Sequence, residues 1–298
     1  MSIKESFIVV FLVICGTLSA QTTYMEHIKK QGGSRTTVPD SDWMGKNAID
    51  VVQDAARFLN DAEKVAKRAV ELIGIAATHS TDTTARRIAT THLVIALKSE
   101  STLIASSANS YLSKFAPEDF TAEAQSIITG MLENLNSYNY ERVARMAASK
   151  GVGLNALSQV FLTKKMNIEK KWDIALALSR LGDEYAINWI VKKLSRANNQ
   201  LYVIEVAKDL VYTRQPKILD LCVEALKNPD LLCDCVNPNV SQKIDCGYRL
   251  MEKIGPLIKD FPVTFNSLGM LGSDAEYEAA LKRVRQWLNE RERVEYLL

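Results

Sequence analysis

Apolar residues recur every three or four positions from Ile49 onward. Ile49, Val52, Ala56, Leu59, Ala66, Val70, Ile73 and Ala77 share one stripe, with Glu63 filling a slot. This spacing predicts a long amphipathic helix. Asp54, Arg57, Asp61, Lys64 and Arg68 fall mostly off the stripe. "THSTDTT" then predicts a turn, with Asp82 capping the next helix. A second stripe runs Leu93, Leu97, Ile104, Ala108, Tyr111 and Phe115, and ends at "FAPEDF", where Pro117 stops one helix and can begin another. A third runs Ala124, Ile127, Met131 and Leu135, extended through Val143 and Ala147 after a weak break at "NSYNY". Three long helices joined by short turns predict an antiparallel bundle over residues 43–150.

"SKGVGLNAL" marks a boundary before the second region, 155–298. Gly151, Gly153 and Ala156 match the loose G-x-G-x-x-A dinucleotide pattern. That motif needs a preceding strand, and "YERVARMAASK" reads as a helix, so the glycines read as a helix terminator. Beyond them the rhythm shortens. "KKWDIALALSRLGDEYAINWIVKKL" holds two short amphipathic segments joined by "LGDE", and "LYVIEVAKDLVYTRQPKILDLCVEAL" repeats the layout about thirty residues later. Trp172 aligns with Tyr202, Ile174 with Ile204, Leu176 with Val206, Ala177 with Ala207 and Leu181 with Val211. "IDCGYRLMEKIGPLIKDF" could open a third unit.

These segments, from about Ile168 to Phe261, resemble HEAT-type repeats. The resemblance implies a curved stack of helix pairs of the kind that binds other macromolecules. It transfers no active site. The last helix, with Tyr277, Leu281, Val284 and Leu288 as its stripe and Ser273 or Asp274 as its cap, suits a terminal element with one polar face. The fold class expected is therefore all-α: a bundle of long helices, then a short HEAT-like solenoid with a capping helix.

The N-terminus changes the compartment. Lys4, the apolar run Phe7 to Cys15 and the small residue Ala20 have the three-part layout of a secretory signal peptide over residues 1–20. The run is too short to span a bilayer, which takes about 20 apolar residues. Residues 21–42 carry Gly-Gly and Pro and read as a mobile arm, the mature chain starting near Gln21. No second apolar stretch of membrane length follows. The expected location is periplasmic or secreted, with no transmembrane span after cleavage.

Composition narrows the chemistry. A formal net charge of +2 over 298 residues gives no global field for nucleic acid. Only 13 Gly and 7 Pro suit a helical chain. His27, His79 and His92 lack metal-ligand spacing, and neither a phosphate-binding loop nor a nucleophile elbow occurs. No catalytic residue, cofactor or metal is assigned.

The four cysteines left after export, Cys222, Cys233, Cys235 and Cys246, read first as disulfides. A Cys233–Cys235 bridge would close a strained small ring. That leaves Cys222 joined to Cys233 or Cys235 with Cys246 taking the other, or Cys222 as a helix-buried thiol with one bridge from Cys246 to the loop. Zinc and redox readings fit less well, because C-x-C lacks a nearby His and no C-x-x-C is present.

The expected function is a non-catalytic binding or scaffold protein of the cell envelope with a protein partner. Its interaction face would lie on the second helix of the first repeat, at Asn188, Trp189, Lys192 and Lys193. An enzyme or small-ligand binder with a site at the junction of bundle and solenoid is the alternative. A structural subunit of a larger complex is the third reading. The oligomeric state is left open.

Overall fold

A computed structural model of the chain describes Met25, Lys29 and residues 40–134, 139–196, 200–234, 243–267, 269–271 and 273–298. The expected signal segment lies outside the described residues. The described residues are mostly helical, with one two-stranded hairpin, so the protein is all-α. The chain divides into two compact units, 1–160 and 161–298.

In the first unit the helices are α1 (Ser41–Lys46), α2 (Ala48–Ala56), α3 (Glu63–Thr78), α4 (Thr83–Ala96), α5 (Thr102–Leu112), α6 (Ala122–Glu133) and α7 (Tyr140–Ser149). Helix α1 begins inside the stretch read as an arm. Asp40 caps it, accepting from the Asp42 and Trp43 amides at 3.0 Å each. Of the rest of that stretch, Met25 is buried and the Lys29 ammonium lies 3.1 Å from the Asp61 carboxylate. The first stripe, read as one long helix, forms two, α2 and α3, with residues 57–62 turning between them. The second stripe also divides, because Ser101 starts α5 by accepting from the Ile104 amide. Asp82 caps α4 as expected, accepting from the Thr84 amide at 2.7 Å. Helix α3 lies at the centre, against α1, α2, α4 and α5. Its Ala66, Ala69, Val70 and Ile73 are fully buried. Asp119, in the turn from α5 to α6, is buried yet satisfied: it accepts from Arg86 Nε at 3.0 Å and from the Ala116 amide at 3.1 Å. Buried charge of this kind is tolerated only when paired.

The second unit opens with the last turn of α8 (Leu154–Thr163). Its helices are α9 (Ile168–Arg180), α10 (Glu184–Arg196), α11 (Gln200–Glu205), α12 (Ala207–Thr213), α13 (Pro216–Lys227), α14 (Gly247–Ile254) and α15 (Asp274–Asn289). The "LGDE" turn behaves as its residues dictate. Gly182, at φ +83°, takes the left-handed position. The Gly182 amide donates to Ser179 O and the Asp183 amide to Leu178 O, both at 3.0 Å, which completes a Schellman ending. Asp183 then caps α10 by accepting from the Ala186 amide at 2.8 Å. Helix α9 packs on α10 and α12, and α10 packs on α13. Trp172 and Tyr202, aligned in the sequence repeat, are ring neighbours with centroids 6.4 Å apart. Lys217, in the first turn of α13, reaches back 3.0 Å to Glu184 in the first turn of α10. Leu281, Val284 and Leu288 of α15 are buried, and Ser273 caps it.

Strands were not expected. Residues Leu232–Asp234 (β1) and Lys243–Asp245 (β2) pair antiparallel, with Cys233 opposite Ile244.

Candidate functional site

The face of α10 carries the residues expected to make contacts, and the structure adds three neighbours. Asn188 and Lys192 are exposed, four residues apart on one side of the helix, and Ser195 continues that line. Tyr185, Trp189 and Lys193 form the adjoining stripe at the same helical spacing. Tyr185 is 62% exposed, a high value for a large ring, while Trp189 and Lys193 are half-buried.

Phe161, in the last turn of α8, is buried against this stripe. It meets Trp189 edge to face at 5.8 Å and Tyr185 at 6.0 Å. Trp189 in turn lies 6.3 Å from Trp172, which continues the row to Tyr202. Edge-to-face pairs of this kind add about 0.5–1.5 kcal/mol beyond burial. Trp172 is core, 8% exposed, and its indole N–H donates to Asp209 Oδ2 at 3.2 Å.

Two ammonium groups complete the arrangement. Lys171 sits 5.0 Å from the Phe161 ring centre and 5.8 Å from that of Trp189. Lys193 sits 5.6 Å from the Trp189 ring. Each such contact at a wet surface is worth about 0.5–1 kcal/mol. The rings therefore hold lysine charge in place at the surface. Lys164 and Lys165, in the loop after α8, are exposed as well. Of the nearby acids, Glu184 is held by Lys217 and Asp183 caps α10. The arrangement can bind: it presents apolar ring edges beside fixed positive charge.

Sequence spacing placed Asn188, Trp189, Lys192 and Lys193 together. Tyr185 was findable from the same spacing, four residues before Trp189. Phe161 and Lys171 come from neighbouring helices, and no linear pattern joins them to α10.

The cysteines form a structural site. Cys233 and Cys246 are joined by a disulfide, Cα to Cα 5.2 Å, which ties β1 to the residue before α14. Cys222 is a free, fully buried thiol on the inner stripe of α13, beside Ile218, Leu219 and Leu226. Of the arrangements left open by the sequence, the one with Cys222 unbridged is present. A bridge from Cys222 to the hairpin is not, and Cys233 pairs with Cys246 instead. Cys235 lies outside the described residues. Burial pushes the Cys222 thiol up to about 12.

A cleft of about 580 Å³ lies beside α13 and the chain's last residues. Its charges are of both signs, and the Asp220 carboxylate accepts from the Tyr296 hydroxyl at 2.7 Å. Among the described residues no cluster of three His, Cys, Asp or Glu could hold a metal ion. No described helix is long and apolar enough to cross a membrane. No protein-family model matches the chain, and no curated protein sequence matches it.

Proposed function

We propose that the chain is an exported, non-catalytic binding protein, and that a stack of HEAT-like helix pairs presents its α10 face to a protein partner. The observation that carries this is the Tyr185–Trp189–Lys193 stripe, with Tyr185 exposed and Lys171 and Lys193 held against the half-buried Trp189 ring. Exposed aromatic residues are enriched in the cores of interfaces, and charged side chains such as these lysines belong to their polar rims.

The stacking of α9 on α12 and of α10 on α13 supports the repeat reading, as does the contact between the aligned rings of Trp172 and Tyr202. In this reading residues 43–150 form a helical bundle and residues 155–298 the repeat domain with its capping helix. Residues 1–20 are the cleaved export signal. The Cys233–Cys246 disulfide supports an oxidising compartment.

A photo-crosslinking side chain at Asn188, in the chain expressed in its own host, tests the reading. A discrete crosslinked protein is expected from Asn188 and none from a control at exposed Lys282 on α15. No product at Asn188, or equal products at both positions, would remove the reading. Peptide mass mapping of the exported form should place its first residue near Gln21, as glutamine or pyroglutamate.

A further inference from the structure

The two most exposed large apolar side chains among the described residues are Leu162, at 65%, and Tyr185, at 62%. Both border one buried ring. Leu162 follows Phe161 in the last turn of α8, and the Phe161 ring lies 6.0 Å from that of Tyr185. A third, Ile168, is 49% exposed in the first turn of α9. Asn167 fixes that turn by accepting from the Lys170 amide at 2.9 Å. Ile168 stands one turn before Lys171, whose ammonium lies over the same Phe161 ring.

Lysines surround these side chains. Residues 162–171 carry Lys164, Lys165, Lys170 and Lys171 against one acid, Glu169. Lys164 and Lys165 are exposed, and Lys193 reaches the Trp189 ring from α10. At the start of α10, Glu184 is paired with Lys217 and Asp183 serves as the cap. We infer that this corner of the second unit, from the end of α8 to the Lys193 flank of α10, docks on an anionic lipid surface. Leu162, Ile168 and Tyr185 enter the boundary between headgroups and acyl chains, and the lysines stay among the headgroup phosphates.

The chain itself supplies the projecting side chains, so the occupant has to receive them. A fluid lipid interface does so without a matching pocket. A soluble polyanion pairs with the lysines but leaves Leu162 and Ile168 in water. An apolar partner surface covers them but gives the lysines no counter-charge. An anionic membrane meets both needs, because lysine stems lie along apolar surface while their ammonium groups stay hydrated. Its attraction fades within a Debye length, so the charges have to sit beside the inserted residues. Lys164 and Lys165 do, two and three positions after Leu162. By helical spacing Asn188 and Lys192 fall on the opposite side of Tyr185 from Lys193. The lipid contact therefore goes beyond the protein contact proposed above and uses a different flank of α10.

The test is vesicle co-sedimentation with the protein purified in its exported form and checked by mass to lack residues 1–20. Vesicles of equal parts phosphatidylglycerol and phosphatidylcholine should bind it at physiological ionic strength, and phosphatidylcholine alone at least ten-fold more weakly. Lys164→Glu/Lys165→Glu should lose at least ten-fold, while the charge-matched Lys282→Glu/Arg283→Glu on α15 should stay within two-fold. Leu162→Ser should lose several-fold with an unchanged thermal transition; if it does not fold, Ile168→Ser replaces it. No binding, equal binding to both vesicle types, or equal loss in the two charge variants would overturn the inference. So would full binding by Leu162→Ser, tighter binding of polyphosphate or single-stranded oligonucleotide, or silent vesicles with a discrete protein crosslinked from position 165. Silent vesicles beside a crosslink at Asn188 would remove the lipid contact alone, and bound vesicles without that crosslink would remove the protein partner alone.

Discussion

Arg285 and Asp245 meet fork to fork: Nη1 donates to Oδ2 at 2.6 Å and Nη2 to Oδ1 at 2.9 Å. The same guanidinium also donates Nε to Leu226 O and Nη2 to Asn228 O, each at 2.9 Å. One side chain of α15 thus holds β2 and closes the C-terminal end of α13, where carbonyls lack helical partners. The side chains are 16% and 20% exposed, between the surface and the buried regimes. Arg285→Met should therefore lower stability by about 2–3 kcal/mol, less than a fully buried pair and more than a surface one. Asp245→Asn should cost less, because the two carbonyl bonds remain. Urea denaturation reads both, and a loss under about 0.5 kcal/mol for Arg285→Met would contradict the clamp.

Gly74 tests packing against propensity. In a helix interior, replacing glycine by alanine favours the helix by about 1 kcal/mol. A Cβ at Gly74, however, would overlap the ring of Tyr111 across the α3–α5 contact. Gly74→Ala should destabilise by about 1–3 kcal/mol, the usual cost of overpacking. Adding Tyr111→Ala should remove that penalty, leaving the Gly74 change neutral or favourable. A double-mutant cycle with no coupling would refute the contact.

The hairpin disulfide closes a loop across a sequence separation of 13. Its loss in Cys246→Ser should cost about 3 kcal/mol on a chain-entropy basis. The expected signature is a lower denaturation midpoint that reductant does not lower further.

Cys222 should resist alkylation in the native protein at pH 8 and react once urea unfolds it. With the thiol pushed up to about 12, roughly one part in ten thousand is thiolate at that pH. Rapid native labelling at Cys222, mapped by peptide mass, would show that α13 opens readily.

Alkali should destabilise the protein. Burial raises the ionisation of Cys222, Tyr140 and Tyr296 above their ordinary values, and the hydrogen bond to Asp220 raises Tyr296 further. In the unfolded chain these groups lose protons at their ordinary values, while the folded chain still holds them neutral. Stability is thus full below about pH 8.5 and falls as pH rises from there toward and past 12. A denaturation midpoint that stays flat between pH 9 and 11 would contradict this.

Local signals were legible where one short segment decides the outcome. The Gly182–Asp183 turn and the Asp82 cap each depend on a few adjacent residues, and both stand where the sequence put them. Helix length was less legible. The stripes across 49–77 and 93–115 keep their phase through a turn, so periodicity cannot separate one helix from two. At the first break Phe58, rather than Leu59, takes the fully buried place. The hairpin escaped notice because its strands are three residues each and lie beside a disulfide, whose pairing spacing alone does not choose. At the α10 face, Tyr185 and Trp189 were readable from helical spacing. The lysine over their ring partners was not, because Lys171 and Phe161 reach the face from other helices.

The bridge between Cys233 and Cys246 also changes what a protease can achieve. A single cut anywhere between residues 234 and 243 would leave two fragments still covalently attached. The nicked chain would run as one band on an unreduced gel and as two after reduction. An enzyme arriving in the same compartment could open this connection without releasing either half of the molecule.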